Sequence, residues 1–330
     1  MALLFSCFIL GFTSGWCAAE EPALSWPQAP AQTRITFVKS IYSPRDIGLE
    51  RGFFKKFKRF IAGEKKDILN KPIAVAVDKE KTIYICDAGT PAVHIFAQKE
   101  KRYKKITAIN NEELLSPVAV AVSGEGALFI ADSGLGKVFC LERNGRLKFV
   151  IGQDKGLLRP TGLALSAERL YVVDTLAQGI SIFDLRGNFI AQFGRRGRGD
   201  GEFNYPSSVA IDSEGKIYIA DSLNFRIQVF DRANKFLLSI GYAGDSSGSF
   251  SRPKGIAVDS LGHIYVTDGL FDNLQIFNQQ GQFLLSLGEA GHKDGEFWMP
   301  CGLAIDSEDY IYVTDAYNQR LQVFHYAGKD

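Results

Sequence analysis

The sequence predicts an all-β chain built from six copies of one four-stranded antiparallel unit, and three observations predict it. Proline recurs at Pro72, Pro117, Pro160, Pro206, Pro253 and Pro300, with spacings of 45, 43, 46, 47 and 47 residues. After each proline come an apolar strand, a turn and a second strand ending in aspartate, at Asp87, Asp132, Asp174, Asp221, Asp268 and Asp315. Two columns of small residues keep the same register. Ala76, Ala121, Ala164, Ala210, Ala257 and Ala304 form one; Ala74, Ala119, Gly162, Ser208, Gly255 and Gly302 form the other. A period near forty-five with four strands is the signature of a propeller blade. Small residues suit inner strands crowded about an axis, where larger side chains would overpack. The expected fold is a six-bladed β-propeller.

The unit is clearest as Pro253-Lys-Gly-Ile-Ala-Val-Asp259, His263-Ile-Tyr-Val-Thr-Asp268, Leu274-Gln-Ile-Phe277 and Phe283-Leu-Leu-Ser-Leu-Gly288. These are four short strands separated by Gly, Asp and Ser turns. Strands such as Ile217-Tyr-Ile-Ala are apolar on both faces, as a strand covered on both sides must be. The last unit holds three strands and ends after Leu321-Gln-Val-Phe324. Its missing outer strand is expected at residues 35–41, where Phe37-Val-Lys-Ser-Ile41 matches Phe236-Leu-Leu-Ser-Ile240. Such a clasp joins the two chain ends and removes an open sheet edge.

Ahead of the clasp, residues 2–12 are uncharged and apolar, too short a run to span a bilayer as a helix. Small residues follow up to Ala19, so residues 1–19 read as a signal peptide, with no basic residue before the apolar run. The mature chain is then periplasmic or secreted, with an extended segment over 20–33 and the propeller over 34–330. Cys17 offers a lipidation site, but bulky Trp16 precedes it, and cleavage without a lipid is the reading favoured. Cys86, Cys140 and Cys301 remain, widely spaced and near strands, and read as buried free thiols.

Charge narrows the partners. The chain has 38 basic and 37 acidic residues, a net +1, without the basic excess that phosphate neutralisation calls for. Nucleic acid is not expected. The basic residues are concentrated instead in the largest departure from the repeat, residues 42–71. There Phe53, Phe57, Phe60 and Ile61 share a helical stripe, while Lys55, Lys56, Lys58 and Arg59 fill most of the remainder. Three readings stand: a lid packed on the propeller, a docking surface for an acidic envelope protein, or peripheral contact of residues 51–62 with an anionic membrane.

The repeat resembles the NHL family. Blade four carries Ile217-Tyr-Ile-Ala-Asp221, Asn224 and Arg226-Ile-Gln-Val-Phe230; blade six carries Ile311-Tyr-Val-Thr-Asp315, Asn318 and Arg320-Leu-Gln-Val-Phe324. The loops Gly199-Asp-Gly-Glu-Phe203 and Asp294-Gly-Glu-Phe297 match as well, whereas Ala177 and Gln178 stand where Asn and Arg are expected. The resemblance implies a structural role for the Asp and Arg, tying loops and blades together, and a ligand face on the rim formed by the inter-blade links. Residues near each proline should face that rim: Lys71, Arg159, Tyr205, Arg252, Lys254, Trp298 and Met299. Cations mixed with aromatics suit an anionic or amphipathic ligand.

Some related propellers are metal-dependent lyases or lactone hydrolases, which need convergent histidine or carboxylate ligands. Only four histidines are present: His94 and His325 lie in or just after third strands, away from the axis, His263 opens a second strand, and only His292 falls in an inter-blade loop. Asp78, Asp212, Asp259 and Asp306 close their first strands and read as turn residues; Ser123 and Ser166 replace them in blades two and three. No catalytic residue and no metal ligand is assigned, and a channel calcium ion stays open. The expected function is a monomeric exported scaffold binding a protein or ligand in the cell envelope, with a metal-dependent lyase or hydrolase as the alternative.

Overall fold

The computed structural model describes residues 24–27, 31–49 and 68–328. The expected signal peptide and the basic stretch with Lys55, Lys56, Lys58 and Arg59 lie outside the described residues. Six antiparallel sheets form six blades, five of four strands and one of five. Each blade begins with an inner strand: Pro72–Val77, Pro117–Val122, Pro160–Leu165, Pro206–Ile211, Pro253–Val258 and Pro300–Ile305. Each inner strand packs beside the next, and the sixth beside the first, closing the ring around a central channel.

The small-residue columns exist because these strands nearly touch. A Cβ at Gly302 would stand 2.5 Å from Ala74 Cα of the next blade, and one at Gly255 would stand 2.3 Å from the Cys301 carbonyl oxygen. Both are inside van der Waals contact, so any side chain there forces the blades apart. Between blades lies the core. Ile180 and Ile182 of blade three meet Val209, Ile217, Ile219 and Phe230 of blade four, and equivalent clusters fill the other gaps. Second strands are therefore buried on both faces. Three residues before each proline, Leu69, Leu114, Leu157, Phe203, Phe250 and Phe297 are buried, the three phenylalanines completely. They anchor the links between blades.

The clasp forms at residues Ile35–Ile41, antiparallel to Arg320–Tyr326, from Ile35 opposite Tyr326 to Ile41 opposite Leu321. The third strand of blade six thus runs two residues past Phe324. Beyond the clasp, Ser25–Trp26 pairs with Thr36 and Ile35 as a fifth strand, where only an extended segment was expected. The Trp26 ring accounts for it. It lies edge-on to Phe324, 5.6 Å between centroids, over Gly295, where a Cβ would collide with it at 2.8 Å.

Candidate functional site

The repeated aspartates build the upper mouth of the channel, the end at which the inner strands begin. All six are fully buried. Each accepts backbone N–H bonds from the link just before its proline. Asp87 takes those of Asn70 and Lys71, Asp174 those of Leu158 and Arg159, and Asp268 those of Ser251 and Arg252. Charge-assisted bonds of this kind are about twice as strong as neutral ones. They fix the main chain from which the mouth side chains project.

In blades four and six an arginine completes the tie. Arg226 Nε donates to Asp221 at 2.9 Å and Arg320 Nε to Asp315 at 2.8 Å. The register places Gly179, not Gln178, at the arginine position of blade three, since Gly179 pairs with Asp174 as Arg226 does with Asp221. Gln178 does different work. Its backbone is left-handed (φ 55°) and its Oε1 accepts the Tyr205 N–H at 2.8 Å. Asp272, at the same place in blade five, accepts the Met299 N–H at 2.7 Å. These side chains reach from one blade to hold the next link, and no recurring residue marks them in the sequence.

The channel holds a cavity of about 460 Å³ at this mouth. Arg159, Tyr205, Arg252 and Lys254 line it; Lys71 and Trp298 stand outside its walls. The Lys71 ammonium lies 5.0 Å above the Tyr317 ring, which in turn packs edge-on against Trp298 at 5.3 Å. Trp298 and Tyr205 are both nearly half exposed. No carboxylate or imidazole is among the described residues lining the cavity. Asp78, Asp212, Asp259 and Asp306 lie elsewhere, each closing the turn between its first two strands; Asp212, for example, accepts the Glu214 and Lys216 N–H groups and the Tyr218 hydroxyl.

Burial pushes the Lys254 ammonium below the ordinary lysine range, the Cys301 thiol acts in the opposite sense, and Arg252 and Lys71 press it further down. Cys301 is half-buried on the channel wall, whereas Cys86 and Cys140 are fully buried as expected. Burial raises the Cys301 thiol, and the charges of Lys254, Lys71 and Arg252 pull it back. Three cations therefore converge electrostatically on one stretch of wall, where blades five, six and one meet. Among the described residues none of the three makes an ion pair.

The residues immediately after the six prolines make a ring that sequence reasoning did not isolate: Ile73, Val118, Thr161, Ser207, Lys254 and Cys301, all in the cavity wall. The order around the ring is the order of the blades, so like residues are neighbours. Two are apolar and two carry hydroxyls, and the last two are a cation and a thiol. The hydroxyls also stitch blades. Thr161 bonds the Thr175 hydroxyl at 2.6 Å, which donates to the Pro206 carbonyl at 2.7 Å; the Ser222 hydroxyl donates to Ser207 at 2.7 Å.

Comparison with known proteins agrees with this architecture. A family described as a 6-bladed β-propeller matches residues 153–237 and 258–329. No curated protein matches the sequence. Among solved structures, a protein of unknown function from Bacteroides thetaiotaomicron is 15% identical with a TM-score of 0.65, over 88% of this chain and 75% of that one. An auxiliary nutrient binding protein from the same organism is 14% identical with a TM-score of 0.62, over 80% and 71%. A catalytically inactive virginiamycin B lyase from Staphylococcus aureus, solved with quinupristin, is 11% identical with a TM-score of 0.58, over 77% and 94%. At such identities the likeness speaks for the fold alone, and by its own sheets and by these matches the chain is a six-bladed β-propeller.

Proposed function

We propose that this chain is an exported binding scaffold of the cell envelope, and that it takes an anionic ligand at the upper mouth of its channel. One observation carries the reading. Arg159, Arg252 and Lys254 line the cavity with Lys71 close by, and no carboxylate among the described lining residues balances them. Cations without a carboxylate partner in a concave, partly desolvated site attract a counter-charge strongly, because the walls lower the local dielectric. The alternative reading as a metal-dependent lyase needs convergent carboxylates or imidazoles, which the described cavity wall does not supply.

A thermal-shift screen with matched sets of small anions, cations and neutral molecules tests the proposal. Anions alone should raise the melting temperature. The effect should shrink at high salt and vanish in a chain carrying Arg252→Gln and Lys254→Gln. Stabilisation by cations or neutrals, or by anions equally in the doubly substituted chain, would sink it. The basic stretch at Lys55, Lys56, Lys58 and Arg59 belongs to the same proposal as a dock for an acidic envelope partner, on sequence grounds alone. Charge reversal there should abolish partner capture and leave the channel anion effect intact.

A further inference from the structure

Resting on that anionic reading, we infer that the ligand is amphipathic: a single carboxylate on an apolar body small enough to enter the channel. The ring of residues after the prolines is zoned, and the zoning follows blade order. Lys254 and Cys301 occupy blades five and six, with Arg252 and Lys71 acting on the same stretch of wall. Ile73 and Val118 occupy blades one and two, which puts Val118 diametrically across the sixfold ring from Lys254. An anionic group held at Lys254 therefore has the aliphatic side chains of Ile73 and Val118 across the ring from it, with Arg159 at the link between blades two and three as the one cation on that side among the described lining residues.

A dianion or a polyphosphate would be poorly served. It spreads charge over several oxygens, and the methyl groups of Ile73 and Val118, which take up two of the six blades, would face charged oxygen without offering it a donor. The intervening hydroxyls are already engaged, Thr161 with the Thr175 hydroxyl of its own blade and Ser207 with Ser222 and the Lys254 carbonyl of blade five. A neutral apolar molecule would leave Lys254 desolvated without a counter-charge, a costly arrangement. A carboxylate with an alkyl or aryl body satisfies both arcs. The cavity, about 460 Å³, lies in the range that holds small organic molecules.

Calorimetric titration of the whole mature chain with a homologous series decides the matter: acetate, butanoate, hexanoate and octanoate, with octanol and inorganic phosphate alongside. Affinity should rise with chain length, by up to about fourfold for each methylene fully buried. Octanoate should also bind at least about tenfold more tightly than octanol, the equivalent of one further charge-assisted bond. Octanoate should slow alkylation of Cys301, read by mass spectrometry of its peptide, because the thiol shares the wall. Acetate or phosphate matching octanoate would overturn the amphipathic inference and leave the anion site standing. Octanol matching octanoate would overturn the anion reading beneath it. Octanoate bound without slowing Cys301 would place the ligand elsewhere and overturn both. Val118→Asp should abolish octanoate binding; should that variant fail to fold, the chain-length slope in the unaltered protein still tells an amphipathic ligand from a simple anion.

Discussion

Arg320 shows how much one side chain can hold. Its side chain is 1% exposed, yet its guanidinium finds a partner in every direction: Asp315 at 2.8 Å, the Lys293 and Glu296 carbonyls at 2.6 and 2.8 Å, and the Tyr42 hydroxyl at 3.1 Å. A planar fork of five donors suits such a site, and an ammonium does not. Burial pushes the Asp315 carboxyl up, and the Trp298 amide, Asn318 and Arg320 pull it down. Removing Arg320 strips one of those supports from a fully buried carboxyl. Arg320→Met should cost about 3–5 kcal/mol in urea unfolding, the scale for orphaning a buried charge. Arg226→Met should cost less, since Arg226 is 13% exposed and lacks the contact to the clasp link that Tyr42 gives Arg320. Equal losses at the two positions would show that the blade-six arginine has no special part in ring closure.

Ring closure itself is a property of elements. The clasp strand Ile35–Ile41 carries alternate roles: Ile35 and Ile41 are completely buried, while Val38 is 43% exposed. Ile41 packs with Leu321 and Val323 of its own blade and with Val75, Ile83 and Ile85 of blade one. It therefore seals a gap that joins the first and last blades. Ile41→Ala should destabilise the whole propeller by about 2–5 kcal/mol. Val38→Ala should stay within about 0.5 kcal/mol. Unfolding that remains a single transition, shifted as one, would show the clasp coupled to all six blades; an early separate transition would show it to be a local flap. The clasp was legible in the sequence because it copies the outer strand Phe236–Ile240. The added strand Ser25–Trp26 was not, because two residues carry no periodicity and are held by one aromatic packing over Gly295. The same limit hid the ring at Ile73, Val118, Thr161, Ser207, Lys254 and Cys301. Repeat analysis finds what recurs between blades, namely the prolines, the small residues and the aspartates that build the scaffold. A site on a symmetric scaffold is made by what differs, and a column with six different residues has no consensus to betray it. Gln178 was misplaced by one position for a related reason: without Asn or Arg in blade three, only the strand register could show that Gly179 occupies the arginine place.

At the scale of the molecule, six nearly equivalent blades carry one asymmetric channel, and its charge makes binding depend on pH. Burial holds the Lys254 ammonium below the ordinary lysine range, and Arg252 and Lys71 lower it further. In the empty protein this depressed value disfavours the charged form. The contribution of Lys254 to stability is therefore largest above the ordinary lysine pKa and is lost as pH falls through the depressed folded value, since the unfolded chain holds more protons across that window. A bound carboxylate reverses the preference, because it favours the ammonium and raises its pKa. Carboxylate affinity should accordingly be constant below the pKa of Lys254 in the empty channel and fall as pH rises through it, with a proton taken up on binding inside that window. Lys254→Arg keeps a charge that does not titrate in this range, so its affinity, whatever its size, should stay level where that of the unaltered chain falls. Calorimetry of octanoate binding in buffers of different ionisation enthalpy, from neutral pH upward, reads both the affinity and the proton uptake. A profile that declines equally in the two proteins would remove Lys254 from the site; a level profile in both would mean that the anion is held by Arg159 and Arg252 alone.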